Sequence, residues 1–216
     1  MKVLIAGQKR FGRDVAHIVA TRPGWEIVAV SCPVHPGMED LDKLHIYALN
    51  HGLPVIPAGQ LTSGKVPEGC DLIVAAHCHD FLSRKVRLRA RYGALGYHPS
   101  LLPRHRGRSA VEWAIRFREA VTGGTVYWMN ETLDGGPVAS QAPVFIRPKD
   151  TARELWAREL APLGLKLFED VFDDLDRGIV TRRVQDASLA TWEPAVTGVP
   201  PLHRPELELL GYSPRA

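Results

Sequence analysis

Short apolar runs bounded by turn residues alternate with helical segments through the first half of the chain. That alternation restricts the fold more than any other feature. Residues 2–6 (Lys-Val-Leu-Ile-Ala) run apolar up to Gly7, and Glu26–Ser31, Pro54–Ile56 and Asp71–Ala76 repeat the pattern. A parallel strand covered on both faces reads this way. Between the runs, Asp14–Thr21 places Val15, Ile18 and Val19 at helical spacing and stops at Pro23-Gly24. Asp40–His51 is expected to form a second helix, closed by Gly52. Strands and helices in this order predict βαβ units and a doubly wound parallel sheet, with ligands bound at the carboxyl edge of the strands.

The second half changes character. Ala94–Tyr97 reads as a brief strand, and His98–Gly107 (HPSLLPRHRG), with two prolines, as an ordered loop. Ser109–Glu119 is expected to be a helix with Ala110, Val111, Ala114, Ile115 and Phe117 on its buried side. Gly124–Met129 and Val138–Ile146 read as strands that can pair antiparallel across the turn NETLDGGP. A long helix is expected from a cap at Asp150–Thr151 to Asp176, with Leu155, Leu160, Leu163, Leu167, Val171 and Leu175 on one face, ended by Gly178. Arg182–Gln185 reads as a last edge strand.

The length of 216 residues suits one domain with a short tail. Residues 1–195 are assigned to that domain and 196–216, rich in Pro and Gly, to an extended tail. A formal charge of +3 is too small to indicate a nucleic-acid or membrane partner, and the expectation is that neither is bound. Three cysteines, Cys32, Cys70 and Cys78, cannot all pair and form no C-x-x-C, which predicts reduced thiols. The apolar run before Gly7 is too short for a signal-peptide core. These features predict a cytoplasmic protein.

Three constellations carry possible chemistry. Gly7-x4-Gly12 after the first run invites a dinucleotide reading, but it is not G-x-G-x-x-G and no acidic residue ends the second run at Ser31. His77-Cys78-His79-Asp80 follows the fourth run. Adjacent residues on an extended backbone point apart, so a pocket-lining loop is expected there rather than a metal site. His98 and Asp134 stand in loops just after strands, where catalytic groups are commonly held, although an exposed His and a turn-forming Asp would read the same. Spacing alone hints at a His/carboxylate dyad.

The stretch YHPSLLPRHRG (Tyr97–Gly107), then Trp113, then GGTVYWMNETLDGGPV (Gly123–Val138), Asp150-Thr151 and Ala190-Thr191 resembles the formyltransferase family. Within that family it resembles the amino-terminal hydrolase domain of 10-formyltetrahydrofolate dehydrogenase, which shares the YHPSLLPRHRG stretch and a start like Gly7–Gly12. The resemblance covers residues 1–195. It implies an α/β, Rossmann-like, doubly wound and mostly parallel sheet with an antiparallel edge, and 10-formyltetrahydrofolate as formyl donor. Of the family's catalytic Asn, His and Asp, the His falls on His98 and the Asp on Asp134. The Asn falls on Gly96, a departure that the hydrolase domain shares. The pterin-binding segment corresponds to Ala76, His77, Cys78, His79, Phe81 and Leu82, and a second folate loop to Asn130, Glu131, Thr132 and Leu133.

The chemistry implied is release of the formyl group from N10 of the folate. His98 would stabilise the oxygen that gains charge, and Asp134 would relay protons and orient His98. A missing Asn amide typically costs about 2.7–4 kcal/mol of transition-state stabilisation unless something replaces it, and a water beside Gly96 is the expected replacement. Arg104, Arg106 and Arg108 are candidates for an anionic acceptor or the folate tail. The expected acceptor is the amine of a small metabolite; hydrolysis to formate and a non-catalytic folate- or nucleotide-binding role are the alternatives. Methionyl-tRNA formyltransferase carries a further carboxyl-terminal domain, so tRNA is not an expected partner. A homodimer remains open.

Overall fold

The computed structural model describes residues 1–34 and 41–196. Its centre is a seven-stranded sheet built from β1 (Lys2–Gly7), β2 (Glu26–Cys32), β3 (Val55–Pro57), β4 (Leu72–Ala76), β5 (Ala94–His98), β6 (Val121–Trp128) and β7 (Val138–Phe145). The spatial order is β3-β2-β1-β4-β5-β6-β7. Pairing is parallel from β3 to β5 and antiparallel for β5·β6 and β6·β7. The direction of winding reverses between β1 and β4, so the loops after Gly7 and Ala76 flank the crevice of such sheets.

Alternation along the strands explains both layers. Val3, Ile5, Leu72, Val74, Ala76 and Leu95 bury against α1 (Lys9–Ala20), α2 (Lys43–Asn50) and α6 (Ala161–Asp176). Leu4, Ala6, Ile73, Ala75 and Ala94 bury on the opposite face, with Val86 of the short helix α3 (Arg84–Arg87). A strand covered on both faces must be apolar throughout, as the sequence runs indicate.

Several boundaries differ from those read in the sequence. Helix α1 begins at Lys9, so Gly12 is a helical residue and not part of a turn. The strand-to-helix reversal is instead absorbed by Lys9, at φ 58°, whose amide donates to Asp42 Oδ2. Helix α2 spans Lys43–Asn50, capped by Asp42 through the Leu44 amide; Asp40 lies outside the described residues. Helix α4 (Ala110–Arg116) is shorter than expected. His98 closes β5 rather than opening the following loop.

The long helix is interrupted. A capping box at Thr151 and Glu154 starts α5 (Ala152–Leu155), a π turn follows over Trp156–Leu160, and α6 continues to Asp176. Tyr97 Oη donates to Leu160 O at 2.6 Å and satisfies a carbonyl that the wider turn frees. The five-residue step from Leu155 to Leu160, both fully buried, is what this turn accommodates. Beyond it Leu167, Phe168, Val171, Phe172 and Leu175 face the core.

Arg182–Gln185 is not an edge strand. It contributes one bridge, Arg183 to Val138, and continues as extended chain. Glu193 to Val196 follows the surface, and the expected tail from residue 197 onward lies outside the described residues. No helix of the described residues is long and apolar enough to cross a membrane. Cys32, Cys70 and Cys78 are free thiols.

Candidate functional site

The antiparallel register of β5 and β6 sets the site. Gly96 pairs with Tyr127 and His98 with Thr125, which places these four residues on the face of the sheet that carries α3. His98 is 6% exposed at the carboxyl end of β5. Its Nε2 lies 2.6 Å from the carbonyl of His105, so this nitrogen carries the proton and donates it. Nδ1 is left facing Asp134, 3.6 Å from Oδ2.

Asp134 lies in the turn between β6 and β7. Its φ of 50° falls in the left-handed region, which Asp and Asn tolerate better than other side chains. The carboxylate accepts a hydrogen bond from Gly107 N at 2.8 Å on Oδ2 and from Tyr127 Oη at 2.7 Å on Oδ1. The turn is held from outside by Gln185, whose Nε2 donates to the carbonyls of Asp134 and Gly136 at 2.8 and 2.7 Å. Arg106 orients Gln185 by donating to its Oε1 at 2.7 Å.

The loop from His98 to Gly107 is fixed by polar side chains of the neighbouring strands. Thr125 Oγ1 donates to Ser100 O and accepts from Leu102 N, and Gln141 Nε2 donates to Thr125 Oγ1 and to Leu102 O. The end of the described chain straps over the same loop. His105 N donates to Thr191 Oγ1, Arg106 N to Thr191 O, and Trp113 Nε1 to Pro194 O. His105, 1% exposed, puts Nε2 3.0 Å from Glu119 Oε2 and Nδ1 3.0 Å from Glu193 Oε2. Burial alone would lower its pKa, but the two carboxylates outweigh burial and raise it.

The segment after β4 lies at the same edge. Ala76 is buried, His77 takes φ 57°, and Cys78 is half-buried in the core layer that contains Met129. Burial pushes the Cys78 thiol up to about 11, so it stays protonated at neutral pH. Burial, then Lys9 and His79, pushes the His77 imidazole down to about 4. His79 and Phe81 are exposed, while Leu82 is buried. No group of three His, Cys, Asp or Glu among the described residues is arranged to hold a metal.

The second loop is ordered by Asn130, whose Oδ1 accepts from Thr132 N at 2.9 Å. Thr132 and Leu133 are exposed. Glu131 is held by Arg87 at 3.1 Å and Arg84 at 3.4 Å. Buried Arg87 also donates to Leu82 O, so it ties the 76–82 segment to the 130–134 loop. Two chain segments with exposed apolar side chains, Phe81 and Leu133, therefore border the edge that carries His98 and Asp134.

Three sequence expectations change on this geometry. The space beside Gly96 is not left for water. A Cβ placed there would lie 3.1 Å from Tyr127 Cε1 and 3.3 Å from its hydroxyl, so the phenol ring fills it. Arg106 is buried, engaged with Gln185 and stacked over Trp192, and Arg104 pairs with Glu119; neither is a free surface cation. Arg108 is exposed and close enough to His79 to lower its pKa, after the larger effect of burial. Tyr127, Gln185, His105 and Arg87 escaped sequence reading. The one available signal was Gly96 itself, since a glycine inside a strand often marks close approach by another group.

The chain matches the family model described as formyl transferase over residues 61–168. It is 33% identical over 204 residues to cytosolic 10-formyltetrahydrofolate dehydrogenase of Mus musculus, an alignment covering 89% of this chain and 22% of that protein. It is 34% identical over 206 residues to methionyl-tRNA formyltransferase of Lactobacillus delbrueckii, covering 90% of this chain and 64% of the relative. The chain thus spans only about a fifth of the length of the dehydrogenase relatives. Among solved structures, an N-formyltransferase from Helicobacter canadensis, in complex with folinic acid and dTDP-3-aminofucose, superposes with a TM-score of 0.72 at 17% identity, covering 89% of this chain and 70% of the other. Phosphoribosylglycinamide formyltransferase from Bacillus halodurans superposes with a TM-score of 0.66 at 21% identity, covering 81% and 95%. These two superpositions establish the fold.

Proposed function

The chain belongs to the formyl transferase family, and from that premise we propose that it removes the formyl group from 10-formyltetrahydrofolate at a site centred on His98 and Asp134, within a unit spanning residues 1–195. The preferred acceptor is the amine of a small metabolite. The observation that carries this reading is the dyad itself, Nδ1 of His98 standing 3.6 Å from Asp134 Oδ2 at the sheet's carboxyl edge.

The folate supplies a carbon already bonded to a leaving nitrogen, N10. The protein's part is positioning and proton movement. His98 Nε2 donates its proton to a carbonyl, so Nδ1 donates to the formyl oxygen, as that oxygen gains charge, in the doubly protonated imidazolium form, with the Asp134 carboxylate as its counter-ion. Asp134 accepts the proton that the attacking amine or water gives up. The new bond forms to the formyl carbon, the bond to N10 breaks, and N10 leaves with the proton that Asp134 took from the nucleophile. The pterin would lie between residues 76–82 and 130–134, whose backbone groups and exposed Phe81 and Leu133 suit a flat polar ring in an apolar slot. The three free thiols support a reducing, cytoplasmic setting.

Hydrolysis is the second reading, supported by the alignment to the dehydrogenase relatives. Incubation of the pure protein with 10-formyltetrahydrofolate separates the readings. Tetrahydrofolate formed only when an amine is added supports transfer. Formate released without amine supports hydrolysis. Tight binding with neither product overturns the enzymatic reading in favour of a binding protein.

A further inference from the structure

We propose that Tyr127 is a positioning residue of this site, its hydroxyl holding the Asp134 carboxylate toward His98 from the space that Gly96 leaves open. The proposal rests on the functional reading above and extends it to a residue on a neighbouring strand. The cross-strand register pairs Tyr127 with Gly96, so their side-chain directions share one face. With no Cβ at 96, the ring lies against the β5 backbone, where a Cβ would come within 3.1 Å of Cε1 and 3.2 Å of Cζ. Any larger residue at 96 would push the ring away. Gly96 is not among the residues with positive φ, so its backbone gives no other reason for a glycine.

The hydroxyl is then delivered to Asp134 Oδ1 at 2.7 Å, while Gly107 N takes Oδ2 at 2.8 Å. Two donors on different oxygens fix the carboxylate plane, which one donor leaves free to rotate. Oδ2 is thereby aimed at His98 Nδ1. Burial, and then the Asp134 charge, hold the phenol well above its ordinary pKa, so it remains a donor at neutral pH. The backbone clamp from Gln185 fixes the turn but not the side-chain rotation, which is what the Tyr127 hydrogen bond supplies.

A role confined to packing would be met equally by Phe, and that sets the test. Tyr127→Phe keeps the ring and removes the donor. The expected result is a fall in kcat of about 10- to 100-fold, the effect of losing a hydrogen bond to a charged group. KM and the affinity for 5-formyltetrahydrofolate should stay within about twofold, because the binding loops are untouched. Gly96→Ala, which retains the hydroxyl but presses on the ring, should lower kcat in the same direction. In the double variant the two losses should not add, since a displaced ring with no hydroxyl has nothing further to lose. Wild-type kcat in folded Tyr127→Phe, or additive losses in the double variant, overturns the role of Tyr127 alone. Should Tyr127→Phe fail to fold, unchanged kcat in Gly96→Ala overturns it. Absence of turnover in the wild-type protein overturns the functional reading, and this proposal with it.

Discussion

Asp134→Asn and His98→Ala are each expected to lower kcat for formyl release by roughly a hundred- to ten-thousand-fold, the range for removal of a positioned acid or base. Asn is the informative replacement at 134. It tolerates the left-handed backbone at φ 50° and still accepts from Gly107 N or Tyr127 Oη, so the turn persists while the negative charge is lost. Ala at 98 removes the ring whose Nε2 donates to His105 O, but the loop keeps its bonds to Thr125 and Gln141. Both variants should therefore fold and bind 5-formyltetrahydrofolate. Initial rates of tetrahydrofolate formation, with melting curves as a folding check, measure the effect. Full activity in either variant removes that residue from the mechanism.

His105→Ala is expected to cost about 3–5 kcal/mol of stability, because it leaves Glu193 without its cationic partner and Glu119 with Arg104 alone. For a domain of this size that is a drop in Tm of roughly 6–20 °C. The pH dependence follows from the two shifts. Burial lowers the His105 pKa, but the carboxylates overcome this and raise it above the ordinary 6.5. Its contribution is complete below 6.5 and fades as pH rises through the raised value. Burial raises the Glu119 pKa, but His105 and Arg104 overcome that and hold it below 4.5. Its contribution is complete above 4.5 and fades as pH falls through the lowered value. The destabilisation should therefore be largest between these ordinary values and smaller in alkaline buffer. Melting curves of both proteins across that range test it; a difference that grows with rising pH would contradict the brace.

The sheet was legible in the sequence because strands buried on both faces must be apolar throughout, and turn residues bound each run. Elements decided by a single distant side chain were not. The π turn at Trp156–Leu160 depends on the Tyr97 hydroxyl reaching Leu160 O, which no periodicity records. The segment Arg182–Gln185 looks like a strand because it is extended, yet its function in the fold is to present Gln185 to two carbonyls of the Asp134 turn. At the site, His98 and Asp134 were singled out in the sequence, and the structure brings them together. Tyr127 was hidden because a tyrosine in an apolar strand reads as core, and only the register with Gly96 reveals what its hydroxyl meets.

The most direct test is a crystal structure of the protein with 5-formyltetrahydrofolate. The expected result is a pterin held between residues 76–82 and 130–134, with N10 within about 3 Å of the His98 or Asp134 side chain or one water away. Ligand density at the Gly7–Gly12 segment, with the His98–Asp134 edge empty, would contradict the assignment of this edge as the site of formyl release.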